Sequence, residues 1–246
     1  HMDEVGFMVQ NVTTDGFIQF VPLGGWWAHT VLAQGVTIVT REGKQVPGCV
    51  ASIPPHQLGA EARTKVMELD LMSIDVGAES REQVTADFGI QLGDAIVPAT
   101  AFQAMAHPDR FLGKAFDNRE GPPADDTPGM NRDDAQGALG RGVQIRVMDP
   151  KALSNSRLVE FVKTQAKAAG ITHQVTVRRG GGTDASAFHL HDLGVPSIVL
   201  GVPVRYIHSH HSILQITDYL EALKLVEQVV RALDADTVNG LMDFLN

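Results

Sequence analysis

Three histidines fall within four residues at His208-Ser209-His210-His211, directly after an apolar run. Ligands of α/β sheets gather beyond the ends of strands, so imidazoles this dense favour a bound metal over a buried structural histidine. Spacing alone does not say which of the three would bind. His1-Met2-Asp3 is a second candidate, because residues two apart on an extended chain share a face and Asp3 could orient His1 as a ligand. By itself the pair reads more readily as a tag remnant or a surface stretch. Asp117 follows the apolar pair Ala115-Phe116, and its two oxygens could bridge two cations; taken alone, it reads better as a solvated acid in a turn. Glu120, Asp125 and Asp126 suit hard or borderline cations, although the prolines around them fit a plain acidic loop. Gly180-Gly181-Gly182-Thr183-Asp184 would allow an anion close to backbone amides, but it lacks the lysine of a phosphate loop and the spacing of a dinucleotide fingerprint. His189 and His191 read as structural or surface residues.

The elements that must position these groups show two textures. From Phe7 to Arg110, short β-prone runs such as Phe17–Val21, Val36–Thr40 and Asp94–Val97 alternate with turn signals at Asp15-Gly16 and Arg41–Lys44. That pattern predicts a small β-barrel or sandwich, with one short helix over Glu79–Phe88. From Gly140 onward, strands at Val143–Val147, Gln174–Val177 and Pro196–Leu200 alternate with helices at Ser154–Ala169, Thr183–Leu190 and Asp218–Leu233. This predicts an α/β layer with a mostly parallel sheet flanked by helices, Pro196–Leu200 being a buried parallel strand. In the last helix, Asp218 with Glu221 reads as a capping box, and Tyr219, Leu220, Leu223, Val226, Val230 and Leu233 read as the core-facing side. Residues 118–140 are polar and proline-bearing, a loop of a length that is uncommon unless functional.

Composition narrows the field. The chain has 246 residues, of which 43% are hydrophobic and 20% charged, so it is globular and long enough for one large domain or two smaller ones. A net charge of −9 repels phosphate backbones and argues against nucleic acid as a partner. One cysteine, Cys49, excludes an internal disulfide framework and a zinc ribbon. The longest apolar runs, such as Val195–Val202, are far short of a membrane span, and acids stand where the basic region of a signal peptide would be. A soluble cytoplasmic protein is the expectation, with no membrane partner.

Taken in order, His1–Phe7, Lys114–Arg119, Glu120–Gly129, Gly181–Ala185 and Arg205–Ser209 form a set that resembles the M42 metallo-aminopeptidases, the glutamyl and tetrahedral aminopeptidase group. The similarity runs over nearly the whole chain. It implies an α/β catalytic domain, residues 1–8 and 111–246, interrupted by a β-rich assembly domain, residues 9–110. It also implies two divalent ions, zinc or cobalt with manganese possible. His1 and Glu120 would hold one, His208 the other, with Asp117 bridging both and Asp3 orienting His1. Peptides would be the substrates, and a homo-oligomer, dimers building a dodecamer, the assembly.

The chain departs from that pattern at one place. The family's Glu-Glu-Val-Gly motif, whose first Glu is the general base and whose second is a metal ligand, has no counterpart, since no Glu-Glu pair occurs in the sequence. A helix and a strand expected between Arg119 and Glu120, and a stretch before His1, are also missing. Losing them from a catalytic sheet would expose apolar area and unpaired strand edges, so the expectation is that pieces of a longer protein meet at Arg119–Glu120. The alternative is a catalytically inactive metal-binding or assembly homologue. A glycan hydrolase, which needs a carboxylate pair and no metal, is a third reading that the histidine content disfavours.

Overall fold

The computed structural model describes residues 4–116, 123–131, 135–180 and 182–243; His1, Asp3, Asp117 and Glu120 lie outside these, as does the Arg119–Glu120 junction. In the first half, β1 (Gly6–Val12), β2 (Ile18–Leu23), β3 (Gly35–Val39), β4 (Gln45–Ala51), β5 (Ser73–Asp75) and β6 (Ala95–Pro98) close into a barrel in the order β1-β2-β5-β4-β3-β6. Alternate residues point inward, and Phe7, Ile18, Ile38, Ile74 and Ile96 among others fill the interior. Each strand has a neighbour on both sides, although β2 meets β5 only at Ile18–Ile74. Asp15-Gly16 and the Thr40–Lys44 turn make the β1–β2 and β3–β4 hairpins, with Gly16 and Gly43 in the left-handed conformation that the tight reversals require. The helix expected over Glu79–Phe88 is a single wide turn, Gln83–Asp87, held by buried Val84. Strand β1 begins at Gly6, so the barrel's first strand crosses the boundary expected at residues 8–9.

The chain then forms β7 (Gln103–Ala104), β8 (Arg110–Gly113), β9 (Val143–Asp149), β10 (Ala152–Leu153), α1 (Ser156–Ala168), β11 (His173–Val177), α2 (Ala185–Phe188), β12 (Val199–Gly201), β13 (Val204–Arg205), β14 (Ser212–Gln215), α3 (Ile216–Ala232) and α4 (Ala235–Gly240). Strands β7, β8, β14 and β13 make one sheet, and β9 is the centre of another. Helix α1 starts where the Asn155 side chain accepts the Leu158 amide at 2.9 Å, and Gly170 stands past its end with φ +64°. Helices α1 and α3 pack on β9 and on each other around Val143, Ile145, Val162 and Leu225.

Three sequence expectations are corrected here. The first concerns the sheet. Of the described pairings of β9, only that with β11 is parallel; β10 and β12 run antiparallel to it. The strand expected over Pro196–Leu200 is β12, half-buried and antiparallel. An apolar run reports burial, whereas direction depends on where the preceding connection delivers the chain. Here that connection holds only the short α2 among its described residues.

The second concerns the start of α3. Its N-cap position is Gln215, and Asp218 lies inside the first turn. There its carboxylate accepts the Gly140 and Gly142 amides, each at 2.7 Å. Burial pushes the Asp218 carboxyl above its ordinary pKa, while those two amides pull it down. Glu221 accepts the Thr172 amide instead of closing a box.

The third concerns the face of α3 that is buried. Leu220, Leu223, Val226 and Val230 are exposed, while Leu225 and Val229 are in the core. The helix carries two apolar stripes, and periodicity does not choose between them. Asp218 does, because residues 218, 222, 225 and 229 share one face and Asp218 is tied to the Gly140–Gly142 turn. Leu225→Ala is expected to cost about 3 kcal/mol and Leu223→Ala under about 0.5 kcal/mol in urea unfolding. Equal losses would show that the helix is rotated from this arrangement.

Candidate metal centre

Strand β13 is the support on which the site is built. It pairs with β14, Val204 opposite Leu214 and Arg205 opposite Ile213, and then enters the turn that carries His208. Tyr206 and His208 both have left-handed backbones, φ +60° and +59°. Side-chain-bearing residues enter this region at a cost, and they persist there when the surroundings over-determine them, often at functional sites. Two such restraints are visible. The hydroxyls of Ser209 and Ser212 donate to the Tyr206 carbonyl at 2.7 and 3.2 Å. The His208 imidazole lies against Gly25, where an added Cβ would come within 3.1 Å of Nδ1.

The three histidines separate by environment. His210 is buried under the Trp26 ring, centroids 5.2 Å apart, and Trp26 in turn stacks on Phe7 of the barrel. Burial lowers the His210 pKa to about 4, with the charge of His211 adding to this and the Thr30 backbone opposing it. His210 is thus the one of the three that folding encloses, and neither of its ring nitrogens has a hydrogen-bond partner among the described residues. His208 and His211 are exposed, and His208 is the one seated against Gly25.

The described residues that flank the other expected ligands also gather at β13. Phe116, next to Asp117, packs with Val204 and Leu214, and Ala115 before it has φ +65°. Pro123, three residues after Glu120, bridges to Val204, and the Ala124 amide donates to the Val204 carbonyl at 2.7 Å. Glu4, three residues after His1, forms an ion pair with Lys114 at 2.9 Å, while its second oxygen Oε2 is buried without a hydrogen-bond partner among the described residues. A three-residue segment reaches at most about 10 Å. Among the described residues no three His, Cys, Asp or Glu side chains are grouped to hold a metal, and His208 is the only expected ligand that is described.

The acids of the 120–129 stretch divide in a way that spacing did not reveal. Asp125 accepts two hydrogen bonds from Arg178 Nη1, at 2.7 and 2.6 Å, and Asp126 is forked by Arg205, with Nε to Oδ1 at 3.0 Å. Both were candidates for cations, and both are committed to guanidinium groups. Beside the glycine-rich stretch, Thr183 is likewise tied to a charged pair. Thr183 Oγ donates to Asp149 at 2.6 Å, Asp149 pairs with Arg146 at 3.4 Å, and α2 is a single turn. His189 Nδ1 lies 2.6 Å from the Ala185 carbonyl, a contact within the helix. Sequence reasoning missed Gly25, Lys114 and Arg205 as residues of the site's surroundings. Lys114 and Arg205 stood inside the matched motifs, but nothing in the sequence marked Gly25.

A family profile described as M42 glutamyl aminopeptidase matches residues 1–124 and 121–225. The glutamyl aminopeptidase of Lactococcus lactis is 32% identical over 296 aligned positions, which span 99% of this chain and 82% of that protein. The chain belongs to the M42 peptidase family. Because the alignment is longer than the 246 residues, some positions of the lactococcal protein have no counterpart here. Among solved structures of M42-like proteins, a TET aminopeptidase from a marine-sediment Thaumarchaeota archaeon superposes with a TM-score of 0.92 at 33% identity, covering 98% of this chain and 82% of that one. The TET1 peptidase of Pyrococcus horikoshii, described as assembling into a tetrahedron or a large octahedral shell, superposes at 0.79 with 25% identity, covering 95% and 82%.

Proposed function

We propose that this M42 protein is an aminopeptidase that removes the N-terminal residue of peptides with the help of two divalent ions. The observation that carries the reading is the convergence on β13. The described neighbours of Asp117 and Glu120 are packed or hydrogen-bonded to Val204, four residues before His208, and the neighbours of His1 and Asp117 are joined through Glu4 and Lys114. The donor chemistry fits: imidazole and carboxylate oxygens suit zinc, cobalt or manganese. His1 and Glu120 would hold one ion and His208 the other, with the two oxygens of Asp117 available to both. Asp3 would accept the ring N–H of His1 and fix its tautomer. A pair of bound ions supplies an activated water and polarises the scissile carbonyl. The general base has no counterpart among the 246 residues, so no side chain is assigned that role.

In this reading residues 1–8 and 111–246 form the catalytic domain and residues 9–110 the inserted assembly domain. By analogy with the tetrahedron or octahedral shell described for the TET1 peptidase, copies of the chain associate into a homo-oligomer; the arrangement we propose is a dodecamer built from dimers. No helix among the described residues is long and apolar enough to cross a membrane. Cytoplasmic placement is part of the proposal. A second reading, an inactive family member that binds metal or assembles, is favoured by the missing Glu-Glu pair.

One experiment separates the two. The protein is assayed on aminoacyl-p-nitroanilides and free peptides, with and without chelator and with zinc or cobalt restored. Hydrolysis that stops in chelator and returns with metal supports the aminopeptidase. Metal binding without hydrolysis supports the inactive homologue, and hydrolysis undiminished by chelator ends the metal reading.

A further inference from the structure

We propose that the Arg205–Asp126 ion pair is a positioning device that sets the His208 imidazole for cation binding; this rests on the metallopeptidase reading above. Arg205 is the last residue of β13 and stands three residues before His208. Its Nε donates to Asp126 Oδ1 at 3.0 Å and its Nη2 donates to Oδ2, so the guanidinium and carboxylate meet as two parallel forks. A forked pair fixes orientation as well as distance, which a single lysine contact does not.

That orientation is needed because the next residues do not hold their shape unaided. Tyr206 and His208 both have left-handed backbones, and local preference would return them to extended or right-handed conformations. The β13–β14 pairing closes the turn at both ends, and Ser209 and Ser212 hold the Tyr206 carbonyl. At the upstream end the Arg205 side chain adds a second restraint to its backbone pairing with Ile213. Asp126 is itself fixed, since Oδ2 accepts the Leu139 amide at 3.3 Å and the Ala124 amide two residues earlier is bonded to Val204. The pair therefore locks the 123–126 segment to the base of the His208 turn. Neither residue belongs to an apolar core cluster.

The test uses the whole protein stripped of metal and titrated with cobalt(II) alone, against a chromophoric chelator, with the visible cobalt spectrum recorded. Arg205→Met and Asp126→Asn are expected to weaken cobalt binding by roughly ten- to a hundredfold and to alter the spectrum, as losses of ligand-orienting contacts do. Arg205→Lys, which keeps the charge and loses the fork, is expected to fall between. Val229→Ala, a core change in the helical layer, controls for destabilisation and is expected to bind cobalt as the parent does. The inference is overturned if the Arg205 and Asp126 variants bind like the parent, or if Val229→Ala weakens binding as much as they do. If the parent itself binds no cobalt, the metallopeptidase reading fails and takes this inference with it; failure of the variants alone leaves that reading standing.

Discussion

Replacing His208 with alanine is expected to lower both divalent-metal affinity and peptide hydrolysis by more than about a hundredfold, since loss of a ligand should exceed the effect of losing a ligand's supporting contact. His208 is exposed, so the change removes little packing. The two strained backbone positions, the serine hydroxyls on Tyr206 and the Gly25 contact all serve to hold this one ring. His211→Ala, two residues beyond Ser209 and also exposed, is expected to change neither quantity. Gly25→Ala gives a graded version, because its Cβ would press on His208 Nδ1 at 3.1 Å and displace the ring by a few tenths of an ångström. Cobalt titration and a peptide assay of all three variants decide the matter. A His208→Ala protein that hydrolyses at the parent rate would remove His208 from the chemistry and, with it, the main described support for the metal centre.

Gly142→Ala is expected to cost at least about 3 kcal/mol of stability. Gly142 has φ +78°, and a Cβ there would lie 2.0 Å from the Thr172 carbonyl oxygen, which is backbone and cannot swing away. Moving the turn would also pull the Gly142 amide from Asp218, now 2.7 Å away, and its carbonyl from Gln174 Nε2 at 2.9 Å. A buried amide or carboxylate left without its partner adds a further cost of about 1–3 kcal/mol. Gly43→Ala is the comparison, with a similar φ of +81° and nothing within 4 Å of the new methyl. It is expected to cost only about 1 kcal/mol, the conformational part alone. Urea unfolding followed by circular dichroism measures both. Similar losses at the two positions would show that the 140–142 turn relaxes freely and that Asp218 does not anchor α3.

Barrel strands β2, β3 and β6 were legible because they are short, β-prone runs, and the hairpin turns because their left-handed positions favour glycine, as at Gly16 and Gly43. Helix α1 was legible from one apolar stripe with Gly170 after it, although it starts two residues later than the expected Ser154, where Asn155 caps it. Helix α3 was legible as a helix but not in its rotation, because both its stripes are apolar and the choice is made by Asp218 bonding to a turn 76 residues away in sequence. The direction of β12 was hidden for a related reason, since side-chain composition carries no record of where a connection delivers the next strand. In the site, the order of the motifs marked the family, yet Asp125 and Asp126 looked as available to a cation as any acid until Arg178 and Arg205 were seen beside them.

The amino-acid sequence by itself determined many of the strands, turns and helices, the two textures of the chain and the identity of the residue types able to hold a divalent ion. These depend on neighbours within a few positions, where propensity, periodicity and turn chemistry act directly. Tertiary structure alone decided which of three clustered histidines is buried and which is exposed, which acids are neutralised, and which face of α3 is dry. Each of these turns on groups far apart in the chain that meet only after folding, and their energies depend on burial and on partners that no local window contains.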